Sequence, residues 1–125
     1  MQKNIISWFE IPVKDMARAS KFYTNAFGVN IMPDGVAGPE FEMGIFEYSE
    51  NQISGALIKG EGYEPCEKGL LIYMNAEPDI AACLDRVEAA GGKIVIPKFK
   101  ISDEYGYIAY FYDTEGNKVG MHSSN

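Results

Sequence analysis

Laid against itself at a shift of 64 positions, the sequence repeats. Asp15 falls on Asp79, Ala17 on Ala81, Ala26 on Ala90, Gly28 on Gly92 and Pro33 on Pro97, while Met16 and Ile31 meet Ile80 and Val95. The matches sit where helices start and stop and where chains turn, positions at which backbone geometry restricts residue choice. A duplication of roughly half the chain fixes the fold more tightly than any local propensity.

Each half parses in the same way. Asn4 to Val13 alternates as a half-buried strand, with Ile5, Phe9 and Ile11 on one face and Ile6, Trp8 and Glu10 on the other. Asp15 can then cap a helix whose stripe is Met16, Ala19, Phe22, Tyr23 and Ala26, and Gly28 can end it in the left-handed conformation. Strands are predicted over 29–32, 41–48 and 52–59. In the second half they are predicted over 70–75, 93–96, 105–112 and 118–123. A helix opened by Pro78, striped by Ile80, Leu84 and Val87, and stopped by Gly91-Gly92 follows the first of these. Residues 113–117 form a Gly-containing hairpin turn. The reading is α+β: two tandem βαβββ modules, 1–60 and 68–125, joined by linker 61–67 within one domain over 1–125.

Composition narrows the partners. Eighteen acidic against eleven basic residues give a net charge of −7, which repels phosphate backbones and anionic lipid, so neither nucleic acid nor membrane is expected. No apolar run reaches the roughly 20 residues of a spanning helix. Met1 to Ile11 carries Glu10 within its short apolar stretch, so no secretory signal is read. The two cysteines, Cys66 in the linker and Cys83 beside the second helix's stripe, are too few for a disulfide framework. Reduced thiols in a cytoplasm are the expectation.

Three segments carry a resemblance: Trp8-Phe9-Glu10-Ile11-Pro12-Val13-Lys14-Asp15 running on to Phe22-Tyr23, Arg86-Val87-Glu88-Ala89-Ala90-Gly91-Gly92-Lys93, and Phe111-Tyr112-Asp113-Thr114-Glu115-Gly116-Asn117 running on to His122. Together they are similar to the vicinal oxygen chelate superfamily of glyoxalases, ring-cleaving dioxygenases, fosfomycin-resistance enzymes and bleomycin-resistance proteins. The resemblance implies a cupped mixed sheet with helices on its outer face, a ligand cavity within, and commonly a homodimer. It also implies one divalent metal in enzyme members, held by His, Glu or Gln on the first and fourth strand of each module. Those positions here are Trp8, Gly55, Leu71 (or Ile72 after a slip of one) and Gly120, none of which can ligate through its side chain. Independently, one His and two separated Cys make a poor set of transition-metal ligands. No metal and no other cofactor is expected.

Strand parity predicts what shares the cup with those positions: Glu10 beside Trp8, Tyr73 and Asn75 beside Leu71, and Lys118 and His122 beside Gly120. Trp8 offers a stacking face for a flat or cationic ligand. Glu10 can serve as base or counter-ion, and His122 as acid or base near neutral pH. Trp8, Glu10, Gly55, Leu71, Tyr73, Gly120 and His122 are thus the expected ligand-binding set, with Glu10 and His122 the catalytic candidates. The expectation is a metal-free protein of the bleomycin-resistance type, binding a planar or cationic organic molecule. The alternative is a glyoxalase-like lyase, isomerase or dioxygenase that uses a metal through ligands such as Glu10 and His122.

Overall fold

The computed structural model describes residues 4–34 and 40–125; residues 1–3 and 35–39, parts of the predicted first module, lie outside them. Its elements are β1 (Trp8–Pro12), α1 (Met16–Phe27), β2 (Ile31–Asp34), β3 (Phe41–Phe46), β4 (Ser54–Gly60), β5 (Tyr73–Asn75), α2 (Ile80–Ala89), β6 (Lys93–Ser102), β7 (Gly106–Tyr112) and β8 (Lys118–Ser123). Each module builds one four-stranded sheet, ordered β1-β4-β3-β2 and β5-β8-β7-β6. The β1–β4 and β5–β8 pairs are parallel and the others antiparallel, so both sheets are mixed. The α+β tandem-module fold is the one that the repeat predicts.

Both helices begin on aspartate. Asp15 accepts from the Arg18 amide and Asp79 from the Ala81 amide, each satisfying an orphan donor of a first turn. In the second module the cap is Asp79 and not Pro78, which precedes it. Gly28 ends α1 at φ +68°, the left-handed conformation that glycine adopts without strain.

Strand lengths follow their partners. β1 starts at Trp8 instead of Asn4 because β4 begins at Ser54, the partner of Trp8, and offers nothing earlier to pair with. Ile5 is consequently 99% exposed. β5 likewise shrinks to the three residues that pair with β8, and Leu70 and Leu71 fall outside it. β6 is longer than predicted, running through Pro97 with three register shifts along β7. It can do so because it is an edge strand, where a proline's missing donor breaks no ladder.

α1 joins the two modules. Phe22 and Phe27 pack on Phe111 of β7, while Tyr23 meets Phe46 of β3 edge-on at 5.8 Å. α2 lies against α1, with the Arg86 Nε and the Cys83 thiol both donating to the Ala26 carbonyl at α1's end. Ile11, Leu57, Ile80, Val87, Ala109 and Met121 complete this core. Cys83 is buried within it as expected, and burial raises its thiol pKa.

The β7–β8 turn locks the halves together by polar contacts. The Glu115 carboxylate accepts from the Lys14 and Asp15 amides, from Arg18 Nε and Nη2, and from the Thr114 hydroxyl, all between 2.7 and 3.0 Å. Asp113 accepts from the Tyr23 hydroxyl at 2.7 Å, and Asn117 donates to the Pro12 carbonyl. Asn117 also accepts from the Cys66 amide, tying the linker to the same turn. Each of these buried polar groups is satisfied, as a stable interior requires.

Candidate functional site

The helices cover one face of each sheet, and the opposite faces carry the candidate residues. On the first sheet, Phe9 and Ile11 turn toward the core, so Trp8 and Glu10 face the other way. Trp8 is 40% exposed and Glu10 half-buried beside Ala56.

Gly55 does not join them. It pairs with Phe9, and a Cβ built on it would sit 2.6 Å from the Phe9 ring and against the Phe9 carbonyl. Its open space is therefore on the core side and already filled. The pseudo-symmetry shows which residue takes the equivalent cup position. Val13 donates to the Ile58 carbonyl as Ala76 does to the His122 carbonyl, so Ile58 corresponds to His122 and Ala56 to Gly120. The fourth-strand position of the first module is Ala56, one residue from the predicted Gly55.

The second sheet gathers more. Tyr73, Gly120 and Tyr110 lie side by side across β5, β8 and β7, and Asn75, His122 and Ile108 form the next row. Gly120 is not open space either, because the Tyr73 ring lies over it, 2.6 Å from where a Cβ would stand. The Tyr73 and Tyr110 hydroxyls are hydrogen-bonded at 2.8 Å, and Lys118 places its ammonium 5.1 Å from the centre of the Tyr110 ring. Leu71 sits in the segment before β5, 38% exposed. Tyr110 and Tyr112 face the cup while Tyr107 packs toward the core, which explains the irregular spacing of these tyrosines.

A cleft of about 440 Å³ opens on this face, lined by Tyr73, Asn75, Glu77, Ile101, Ile108 and His122. The His122 Nε2 meets the Tyr105 carbonyl; since a carbonyl only accepts, Nε2 carries a proton. Glu77 accepts from the Ser124 hydroxyl and amide and from the Ser123 hydroxyl. The Ser124 bonds, the Ser123 bond and nearby His122 hold its carboxyl below the usual range against a weaker effect of burial. Sequence reasoning missed Glu77 and Ile101. Parity continued from Tyr73 and Asn75 reaches Glu77, whereas Ile101 lies in the unpredicted extension of β6.

The cup does not suit a metal. Trp8, Ala56, Leu71 and Gly120 carry no nitrogen, oxygen or sulfur donor fit for an ion of this kind, and the Tyr73 ring lies over Gly120. Among the described residues no three His, Cys, Asp or Glu side chains are grouped to hold one. Glu10 and His122, the alternative ligands, stand on different sheets, and only His122 lines the cleft.

This geometry has relatives. A protein of Mycobacterium bovis named "Putative glyoxylase CFP32" is 28% identical over 124 residues; the match takes in 95% of this chain but only 45% of that protein, so the chain spans under half of its length. A "Glyoxylase-like domain-containing protein" of Didymella fabae is 29% identical over 113 residues, which are 90% of this chain and 88% of that one. Among solved structures, TnmS3, an antibiotic binding protein from Streptomyces sp. CB03234, superimposes with a TM-score of 0.64 at 22% identity over 100% of this chain and 99% of its own. That likeness shows a shared fold. The family model of the Glyoxalase/Bleomycin resistance protein/Dioxygenase superfamily matches residues 5–121. With paired βαβββ modules, a latch in the last hairpin and a cup opposite the helices, the chain belongs to that superfamily.

Proposed function

We propose that this chain is a metal-free small-molecule-binding protein that buries a planar or cationic organic ligand in its aromatic cup without turning it over. The observation that carries the reading is the cleft on the second sheet, which joins Tyr73 and His122 to Asn75 and Glu77 on a largely aromatic and aliphatic wall. Its size suits a small organic molecule, and its few polar groups suffice to orient one. Trp8, exposed on the corresponding face of the first sheet, supplies a stacking surface, and the ionised Glu77 a counter-charge. TnmS3, which shares the fold, is an antibiotic binding protein.

Among the described residues no helix is long and apolar enough to cross a membrane, and the acidic charge disfavours nucleic acid. A cytoplasmic homodimer that uses the exposed aromatic faces belongs to the same proposal. The second reading, a glyoxalase-like lyase, isomerase or dioxygenase, is favoured by the glyoxylase names of the relatives and requires a metal held through Glu10 and His122.

Trp8 is the only tryptophan, so intrinsic fluorescence reads a ligand that reaches the exposed face of the first sheet. Titration with a panel of planar aromatic cations and neutral aromatics is expected to give saturable, stoichiometric quenching. No saturable response to any of them, together with turnover of a thiol adduct that a chelator abolishes, would replace this reading by the second.

A further inference from the structure

We propose that the Tyr73–Tyr110 hydroxyl pair, on the face where the Lys118 ammonium lies over the Tyr110 ring, is a binding site for an anionic oxygen, the carboxylate of a small organic ligand. The inference rests on the ligand-binding reading above and adds the charge of the ligand and the atoms that hold it.

The two phenol oxygens are 2.8 Å apart. A phenol has one proton and can accept as well as donate. One proton of the pair is consumed between the two rings; the other remains on the accepting oxygen, polarised by the first bond and free to point outward. Tyr73 resists ionisation, pushed up to about 12 by its bond to Tyr110 and, to a lesser degree, by burial. At neutral pH Tyr73 therefore keeps its proton.

Lys118 adds the charge. It shares the cup face with Gly120, over which Tyr73 lies, and its ammonium stands 5.1 Å from the centre of the Tyr110 ring. Among the described residues it has no carboxylate within salt-bridge distance; the two ion pairs formed there are Arg18–Glu115 and Lys100–Asp103. Glu67, next to the Cys66 whose carbonyl accepts from the Lys118 amide, raises the Tyr112 pKa by its charge. An ammonium over the ring of one of two hydrogen-bonded phenols favours an oxyanion over a cation on that face.

The test uses protein labelled with ¹³Cζ-tyrosine and three aryl probes of one shape: benzoate, benzyl alcohol and benzamidine. Benzoate is expected to move the Tyr73 and Tyr110 signals saturably and to bind on the order of tenfold tighter than benzyl alcohol. Y110F and K118M should each weaken benzoate by a similar factor while leaving benzyl alcohol unchanged, in proteins that keep the wild-type melting temperature. Should benzyl alcohol or benzamidine bind with no advantage for benzoate, or should benzoate bind Y110F and K118M as it binds the wild type, the anion site is overturned and the ligand-binding reading stands. If none of the three produces saturable shifts, both fall.

Discussion

Replacing Glu115 by glutamine tests the latch that holds the two modules in one body. The substitution keeps the shape and one acceptor oxygen but removes the charge that Arg18 and two backbone amides converge on. Burial opposes that charge more than any single influence, yet the Arg18 bond, the Asp15 and Lys14 amides and the Thr114 hydroxyl together hold the carboxyl at about 2, against an ordinary 4.5. A difference of that size corresponds to roughly 3 kcal/mol in favour of the folded, ionised form. Because Arg18 is half-exposed, solvent screening leaves about 2 kcal/mol. The sign follows from the lowered pKa: the contribution is complete above about 4.5, where the unfolded carboxyl also ionises, and disappears as pH falls toward 2. Urea unfolding at pH 7 should therefore show E115Q about 2 kcal/mol less stable. Between pH 4.5 and 2, the wild type should lose stability more steeply than E115Q. Equal stability at pH 7, or parallel pH profiles, would refute the assignment of the charge to the latch.

Other consequences are equally direct. Y23F removes the only hydroxyl that reaches Asp113 from α1 and should cost about 1–3 kcal/mol by thermal unfolding, the penalty for stranding part of a buried polar network. G55A should destabilise by about 2 kcal/mol or more because its methyl would meet the Phe9 backbone, which cannot step aside, whereas W8A should change stability by less than about 1 kcal/mol. Differential scanning calorimetry of both variants orders them, and an equal loss would contradict the face assignment. D79A should lower stability by about 1 kcal/mol through loss of the α2 cap, while P78A, outside the helix, should not do so through capping.

The legible parts of the fold were those fixed locally. Asp15 and Gly28 mark helix ends by their own backbone and side-chain chemistry, and β8 is bounded as predicted, because a Gly-containing turn sets its start; the second helix instead reads as opened by Pro78, whereas its cap is Asp79. Strand ends set by a partner were not legible. Nothing in Ile5 or Leu70 says that β4 and β8 stop short of them, and Pro97 in β6 reads as a terminator until the strand is known to be an edge. The shift from Gly55 to Ala56 has the same origin: parity counted along one strand loses a residue when the pairing register is unknown. Alternation alone puts Trp8, Tyr73 and His122 on the sheet faces away from the core. The Tyr73–Tyr110 bond and the contribution of Glu77 needed three strands and a turn brought together, which no single segment encodes.

The central claim is that the cup offers side chains to carbon and oxygen and none to a metal ion. Native mass spectrometry of protein purified without added metal, then exchanged against equimolar zinc, nickel and manganese, tests it most directly. The account predicts masses of the bare chain or its dimer, with or without an organic adduct, and no metal surviving exchange. One tightly held metal per chain, released only by a chelator and lost in H122A, would contradict it.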